Sequence, residues 1–193
     1  MCGIAGFLGG NSFRNHASVI KQVKAMSNAL ISRGPDDEGY WFELEDRVAV
    51  AHRRLSILEL SAAGHQPMTS FSGRYVIAFN GEIYNHLEIR QELEQTSKNK
   101  LSWRGKSDTE TLVACFDILG LKATLDKIVG MFAFALWDRK DHHFYLVRDR
   151  MGEKPLYYGY HQGVFLFASE LSALKAHYAF QGDLDVNAIN LQL

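Results

Sequence analysis

Met1-Cys2-Gly3-Ile4-Ala5-Gly6-Phe7-Leu8 is the stretch on which the reading of the whole chain turns. Ile4 to Leu8 reads as a strand, so a thiol stands immediately before an anchored apolar segment. An initiator methionine is normally removed when a small residue follows it, and cysteine is small enough. Cys2 would then carry a free α-amine, with a reference pKa of about 7.7–8.0. That amine could take the thiol proton directly or through a water, so nucleophile and base would sit on one residue. A lone Met-Cys is by default only a small apolar residue at position two. Gly3 and Gly6 shift the balance, because they let backbone approach closely around the thiol.

The rest of the chain supports one folded domain over 2–193. Its 193 residues are 47% hydrophobic and 22% charged, with a formal net charge of -1. That length buries a substantial core. The charge balance offers no polybasic surface for nucleic acid. No apolar run reaches bilayer length, and no positive charge precedes the apolar N-terminal stretch, so neither a membrane span nor a signal peptide is expected. Two cysteines, Cys2 and Cys115, make no disulfide framework, which fits a reducing, cytoplasmic setting. No histidine pattern suggests a metal site: His142 and His143 are adjacent, a poor arrangement for gripping one ion.

Working outward, Val19, Ile20, Val23, Met26 and Leu30 recur at helical spacing, and Gly34-Pro35 stops that helix. Strands are predicted at Tyr40–Leu44, Val48–Ile57 and Tyr75–Phe79. One helix starts at Asn85. Another starts at Ser107, where Glu110 completes a capping-box spacing, and runs to Gly120. Met131–Asp138, Phe144–Arg148, Leu156–Tyr160 and Val164–Ala168 read as four more strands, with a last helix from near Ser169. The run Met131-Phe132-Ala133-Phe134-Ala135-Leu136-Trp137 is apolar nearly throughout, as in a strand covered on both faces. The economical arrangement is two stacked sheets with helices outside each. Strand order is not given by periodicity.

Three further segments carry candidate chemistry. Asn80-Gly81-Glu82-Ile83-Tyr84-Asn85 follows a buried strand. A side-chain amide from Asn80 and a backbone N–H from Gly81 could hold the oxyanion of an attacked carboxamide. Asn-Gly is also the commonest tight-turn dipeptide, and in isolation the turn is the better reading. In His52-Arg53-Arg54-Leu55-Ser56-Ile57, Arg54 at a strand end makes a fork for a carboxylate; a surface salt bridge is the default for any single arginine. Asp108, in Ser107-Asp108-Thr109-Glu110, falls in a first helical turn, where an ionised carboxylate is favoured. It could bind an ammonium or serve only as capping. Together these groups complement a free amino acid with a side-chain amide.

These stretches, with Arg33-Gly34-Pro35-Asp36, Gly64-His65-Gln66-Pro67-Met68, Gly130-Met131-Phe132-Ala133-Phe134 and Ala168-Ser169-Glu170, resemble the glutaminase domain of glutamine-hydrolysing asparagine synthetases over nearly the whole chain and in the same order. The resemblance implies an α+β fold, a four-layered αββα sandwich of the N-terminal-nucleophile type. It implies Cys2 as nucleophile, Asn80 and Gly81 as oxyanion hole, Arg54 for the substrate carboxylate, and Asp108 with Glu82 for the α-ammonium. The backbone of Leu55 would line the same pocket, with Arg33 and Asp36 as structural support. Pro35 and Glu82-Ile83-Tyr84-Asn85 favour the asparagine synthetase branch over sugar-phosphate and phosphoribosyl relatives.

One feature departs from that family. Its members carry a second domain with a Ser-Gly-Gly-x-Asp-Ser loop for ATP pyrophosphate. Here the only Ser-Gly, Ser72-Gly73, is followed by Arg74. The expectation is a synthetase domain, in cis or on a separate chain, that is absent from these residues and is the only part needing ATP and magnesium. The stretch 187–193 shows no domain-ending signal. The ammonia acceptor stays open: aspartate, or another acceptor such as a sugar acid. A catalytically silent amino-acid-binding or docking module is the alternative from a different class.

Overall fold

A computed structural model describes residues 1–57, 59–96 and 101–182. The predicted stretch 187–193 lies outside the described residues. The described chain holds nine strands, β1 Gly3–Leu8, β2 Asp37–Glu43, β3 Val48–Arg54, β4 Met68–Thr69, β5 Tyr75–Ile83, β6 Gly130–Asp138, β7 His143–Arg148, β8 Tyr157–His161 and β9 Val164–Ala168. Four α-helices join them: α1 His16–Asn28, α2 His86–Thr96, α3 Asp108–Lys127 and α4 Leu171–Lys175. All pairings are antiparallel, in two sheets of order β2-β3-β1-β9-β8 and β4-β5-β6-β7.

Side-chain alternation along the strands builds three apolar layers. Ile4, Val48, Val50, Val76, Ala78, Trp137 and Phe167 pack between the two sheets. Phe7, Ala49, Ala51 and Leu166 face the other way, against Val19, Val23 and Met26 of α1 and Leu174 of α4. Ile77, Phe79, Phe134 and Leu136 pack under Ile89 and Leu93 of α2 and Leu112, Val113 and Phe116 of α3. Helices therefore cover the outer face of each sheet, giving the αββα order. Strand β6 is buried on both faces because alternate residues enter different layers.

Several predicted boundaries move. The first helix ends at Asn28, before Gly34-Pro35. Helix α3 continues past Gly120 to Lys127 and takes up that glycine as a kink at φ 77°. Ser107 caps it by accepting the Glu110 N–H at 3.2 Å. The Glu110 carboxylate does not reach back to Ser107. It accepts the N–H groups of Arg104 and Gly105 at 2.7 and 3.0 Å. The largest change concerns Asn80-Gly81. They form no turn but lie inside β5, opposite Ala133 and Phe132. A side chain at 81 would collide with the Met131 carbonyl and the Phe132 backbone. Close strand approach therefore explains the glycine.

Two histidines are buried with little polar compensation. His52 of β3 is 1% exposed, and its Nε2 lies 3.0 Å from the Phe79 carbonyl of the other sheet, a distance at which the neutral ring donates. His177 is 2% exposed and packs its ring 4.6 Å from that of Phe7. Burial pushes both imidazoles down to about 4 from an ordinary 6.5. The unfolded chain takes up a proton on each near pH 6.5, whereas the folded chain does so only near 4. Stability is therefore full above that window and is lost as pH falls through it. We predict that resistance to urea unfolding weakens from pH 7 to 4.5, by up to about 3 kcal/mol from each histidine. His52→Gln should lower the slope in this window by about one proton, and an unchanged slope would show that His52 is not held neutral.

Candidate active site

Cys2 immediately precedes the central strand of its sheet, β1. β1 pairs with β3 from Gly3 to Leu8 and with β9 from Ala5 to Leu8. Where the β9 ladder stops, Ser169 continues it: Ile4 N–H donates to Ser169 Oγ at 3.0 Å, and Ser169 N–H to the Ile4 carbonyl at 2.8 Å. Arg33 Nε donates to the Cys2 carbonyl at 2.9 Å, and its Nη1 lies 3.1 Å from Glu170. Asp36 accepts the Ser56 N–H at 2.8 Å. Both residues of the Arg-Gly-Pro-Asp segment thus brace the backbone around the thiol.

The Cys2 Sγ accepts the Leu55 N–H at 3.4 Å and lies 3.7 Å from the Leu55 carbonyl. Burial pushes the thiol above its ordinary value, while the Leu55 contact, the positive N-terminus and Arg54 pull the other way. Near neutral pH the sulfur is a thiol and needs a base beside it.

The facing wall is the edge of β5. Strand β4 is two residues long and pairs only with Val76 and Ile77. Beyond Ile77 the N–H groups of alternate residues on that edge have no backbone partner from β4. Gln66 Oε1 accepts Phe79 N–H at 2.7 Å, and Asp108 Oδ2 accepts Ile83 N–H at 2.9 Å. Gly81 lies midway and, by the alternation, directs its N–H to the same side. Phe132 across from it turns both its peptide groups the other way, to Asp149. Next to Gly81, the Asn80 Nδ2 is buried and has no partner among the described residues. Two adjacent donors are thus available.

Asp108 is 5% exposed, at the first turn of α3. Burial raises its pKa, and N–H donation from Ile83 and Thr109 opposes the rise. Arg54 is 7% exposed rather than a surface ion pair. It donates to the carbonyls of Ser61 and Glu59, and Nη1 stands 4.0 Å from Asp37. A guanidinium has five N–H donors, so Arg54 keeps donors to spare.

A cavity of about 170 Å³ joins these groups, bordered by Cys2, Arg54, Leu55, Asn80, Gly81, Glu82 and Asp108. All seven residues singled out in the sequence therefore meet in one place. It is smaller than the ~300–1,000 Å³ of drug-sized pockets, and suits one small metabolite. Met1 also borders it, with Sδ 3.8 Å from Lys154 Nζ. Sequence reading missed Glu59, Gln66, Thr109 and Lys154, which line the same cavity. Gln66 and Thr109 lay in recognised motifs but carried no chemical signal of their own. A larger cavity of about 740 Å³, walled by Phe144, Leu146, Tyr158 and Phe165, borders none of the predicted residues.

A family model described as a glutamine amidotransferase domain matches residues 1–193. This chain belongs to the glutamine amidotransferase domain family. The domain is 38% identical over 177 residues to asparagine synthetase [glutamine-hydrolyzing] 2 of Bacillus subtilis (strain 168), covering 92% of this chain and 22% of that protein. It is 33% identical to amidase chry2 of Gibberella zeae, covering 91% of this chain and 26% of that protein. The chain thus spans about a quarter of the length of these relatives. Glutamine phosphoribosylpyrophosphate amidotransferase from B. subtilis shares the fold, with a TM-score of 0.70 at 22% identity, over 91% of this chain and 43% of that one.

Cys2 and Cys115 are both free, and burial pushes the Cys115 thiol up to about 12 in the core under α3. In the folded amidotransferase domain, iodoacetamide should modify Cys2 faster as pH rises, and Cys115 only after unfolding. Peptide mapping that found Cys115 modified first in the folded protein would contradict this arrangement.

Proposed function

We propose that this domain hydrolyses the side-chain amide of glutamine to glutamate and ammonia, with Cys2 as nucleophile after loss of Met1. The observation that carries the reading is the convergence on one cavity of the Cys2 thiol, the Asn80 amide, unpartnered among the described residues, and Gly81, whose edge N–H lies beyond the reach of β4 pairing. Arg54 receives the α-carboxylate of glutamine. Asp108, with Glu82, receives the α-ammonium, and the Leu55 backbone lines the pocket beside the sulfur.

Chemistry then follows from the groups present. The free α-amine of Cys2 takes the thiol proton, and the thiolate attacks Cδ. The carbonyl oxygen becomes an oxyanion held by Asn80 Nδ2 and Gly81 N–H. The C–N bond breaks, the α-ammonium returns its proton to the departing nitrogen, and ammonia leaves a glutamyl thioester. Water, deprotonated by the same amine, adds to the thioester, releasing glutamate and the thiol. These steps call on no metal or organic cofactor.

The ammonia is used by a synthetase domain, in cis or on another chain, for ATP-dependent amidation of aspartate with magnesium, in a reducing cytoplasmic setting. Support comes from the Bacillus subtilis relatives named as glutamine-hydrolyzing asparagine synthetases. A reading other than asparagine synthesis has one specific point in its favour: a relative of similar coverage is named an amidase.

Cys2→Ala should abolish glutaminase activity in a folded protein, whereas Cys115→Ala should keep it. The reverse pattern, read by ammonia release, would sink the proposal. Asn80→Ala should lower kcat by about 10²–10³ with a smaller change in KM, as for loss of one oxyanion donor. An intact KM and kcat for Asn80→Ala would remove that residue from the oxyanion hole.

A further inference from the structure

We propose that Gln66 is a positioning residue for the oxyanion hole, an inference that rests on the glutamine hydrolysis proposed above. Gln66 is 5% exposed and borders the cavity. Its side chain uses both ends. Oε1 accepts the Phe79 N–H at 2.7 Å, and Nε2 donates to Thr109 Oγ1 at 3.3 Å. A backbone N–H is only a donor, so the first bond fixes which end of the amide faces β5 and which faces α3.

The placement has a consequence for Gly81. Backbone pairing by β4 ends at Ile77, opposite Met68, and the chain leaves the sheet through Pro67. The Gln66 side chain satisfies the next N–H on that edge, Phe79. Asp108 satisfies the one beyond Gly81, at Ile83. Donors on one strand edge recur about every 7 Å, so among the described residues a single unfilled donor is left between two filled ones. His52 holds the carbonyl of the same residue, which belongs to the following peptide, Phe79–Asn80. Gln66 thus clamps the strand one residue before Asn80 and ties it, through Thr109, to the helix turn that bears Asp108. The amide end and the ammonium end of a bound amino acid would be held at one separation by this side chain.

Gln66→Met keeps the length and shape and removes both hydrogen bonds. Thr109→Val removes only the bond to α3. Each is assayed for glutamine hydrolysis and for inhibition by glutamate γ-semialdehyde, whose thiohemiacetal with Cys2 would place an oxyanion against Asn80 and Gly81. Gln66→Met is expected to lower kcat about tenfold, to change KM less than about threefold, and to weaken semialdehyde inhibition by about the same factor as kcat/KM. The double variant should cost no more than Gln66→Met alone, because both remove one connection. Equal kcat per folded molecule in Gln66→Met, or additive losses in the double variant, would overturn the proposal. If Gln66→Met does not fold, Thr109→Val decides it: a fall in kcat with weakened semialdehyde inhibition supports the clamp, and unchanged values overturn it. Cys2→Ala and Asn80→Ala run alongside. If they too leave hydrolysis intact, the proposed function has failed; if they abolish or cripple it while the Gln66 and Thr109 variants are normal, only the clamp has.

Discussion

The arrangement depends on holding an N-terminal residue in the middle of a sheet. Chain ends fray unless something ties them down. Here β1 is hydrogen-bonded on both sides, to β3 and β9, and Ser169 extends the second ladder to Ile4. A central antiparallel strand cannot slip by one residue without turning its apolar set to the wrong layer. Ile4 packs between the sheets while Ala5 and Phe7 face α1 and α4, so the register of β1 is fixed by two separate cores. Cys2, one residue outside the strand, inherits that register. Arg33 then fixes its carbonyl. The thiol is placed by the fold's most constrained strand rather than by a loop.

The opposite wall uses a gap in pairing. A sheet edge that runs on without a partner normally invites water or another chain. Strand β5 extends six residues past Ile77, where β4 stops pairing, yet its exposed donors are not left to solvent. Gln66 and Asp108 substitute side-chain oxygens for a neighbouring strand at Phe79 and Ile83. At Gly81, between them, no such side-chain oxygen stands among the described residues, and the absence of a side chain lets β6 approach closely. An unpaired N–H in a half-buried position costs stability. Under the proposed function, the partner of this N–H and of the Asn80 amide, unpartnered among the described residues, is a ligand oxygen.

Much of this was legible in the sequence, and the failures share a cause. The two-sided burial of β6 could be read because its apolar run is local. So could the capping signal of Ser107, although Glu110 spends its carboxylate on Arg104 and Gly105 instead of closing the box. Asn80-Gly81 was ambiguous because a glycine that permits a turn and a glycine that permits close strand approach look alike until the neighbouring strand is known. Gln66 was invisible for a similar reason. Its task is to replace a strand partner, and nothing near it in sequence says that β4 will be only two residues long. Arg54 was read as a free fork, but the carbonyls of Glu59 and Ser61 take part of it because the following segment folds back over the guanidinium. Pairing across the sheets, not local pattern, decides each of these.

The electrostatics of the cavity bind its shape to its chemistry. Burial raises the pKa of the Cys2 thiol and of the Asp108 carboxyl alike, since each loses hydration in its charged form. For Asp108 an arriving ammonium reverses the effect, so under the proposed function substrate binding and carboxylate ionisation are one linked event. No such ligand rescues the thiol: the substrate brings an amide to the sulfur, not a charge. The proton must be taken by a group already in place and titrating near neutrality. Among protein groups an α-amine fits, at about 7.7–8.0, and here it lies one residue's width from the sulfur once the Met1–Cys2 bond is cut. Met1 borders the same cavity, so under the proposed function that one cleavage both enlarges the pocket and creates its base. Before it, the cavity holds the Cys2 thiol beside Asn80 and Gly81 but no neighbouring α-amine to take the thiol proton.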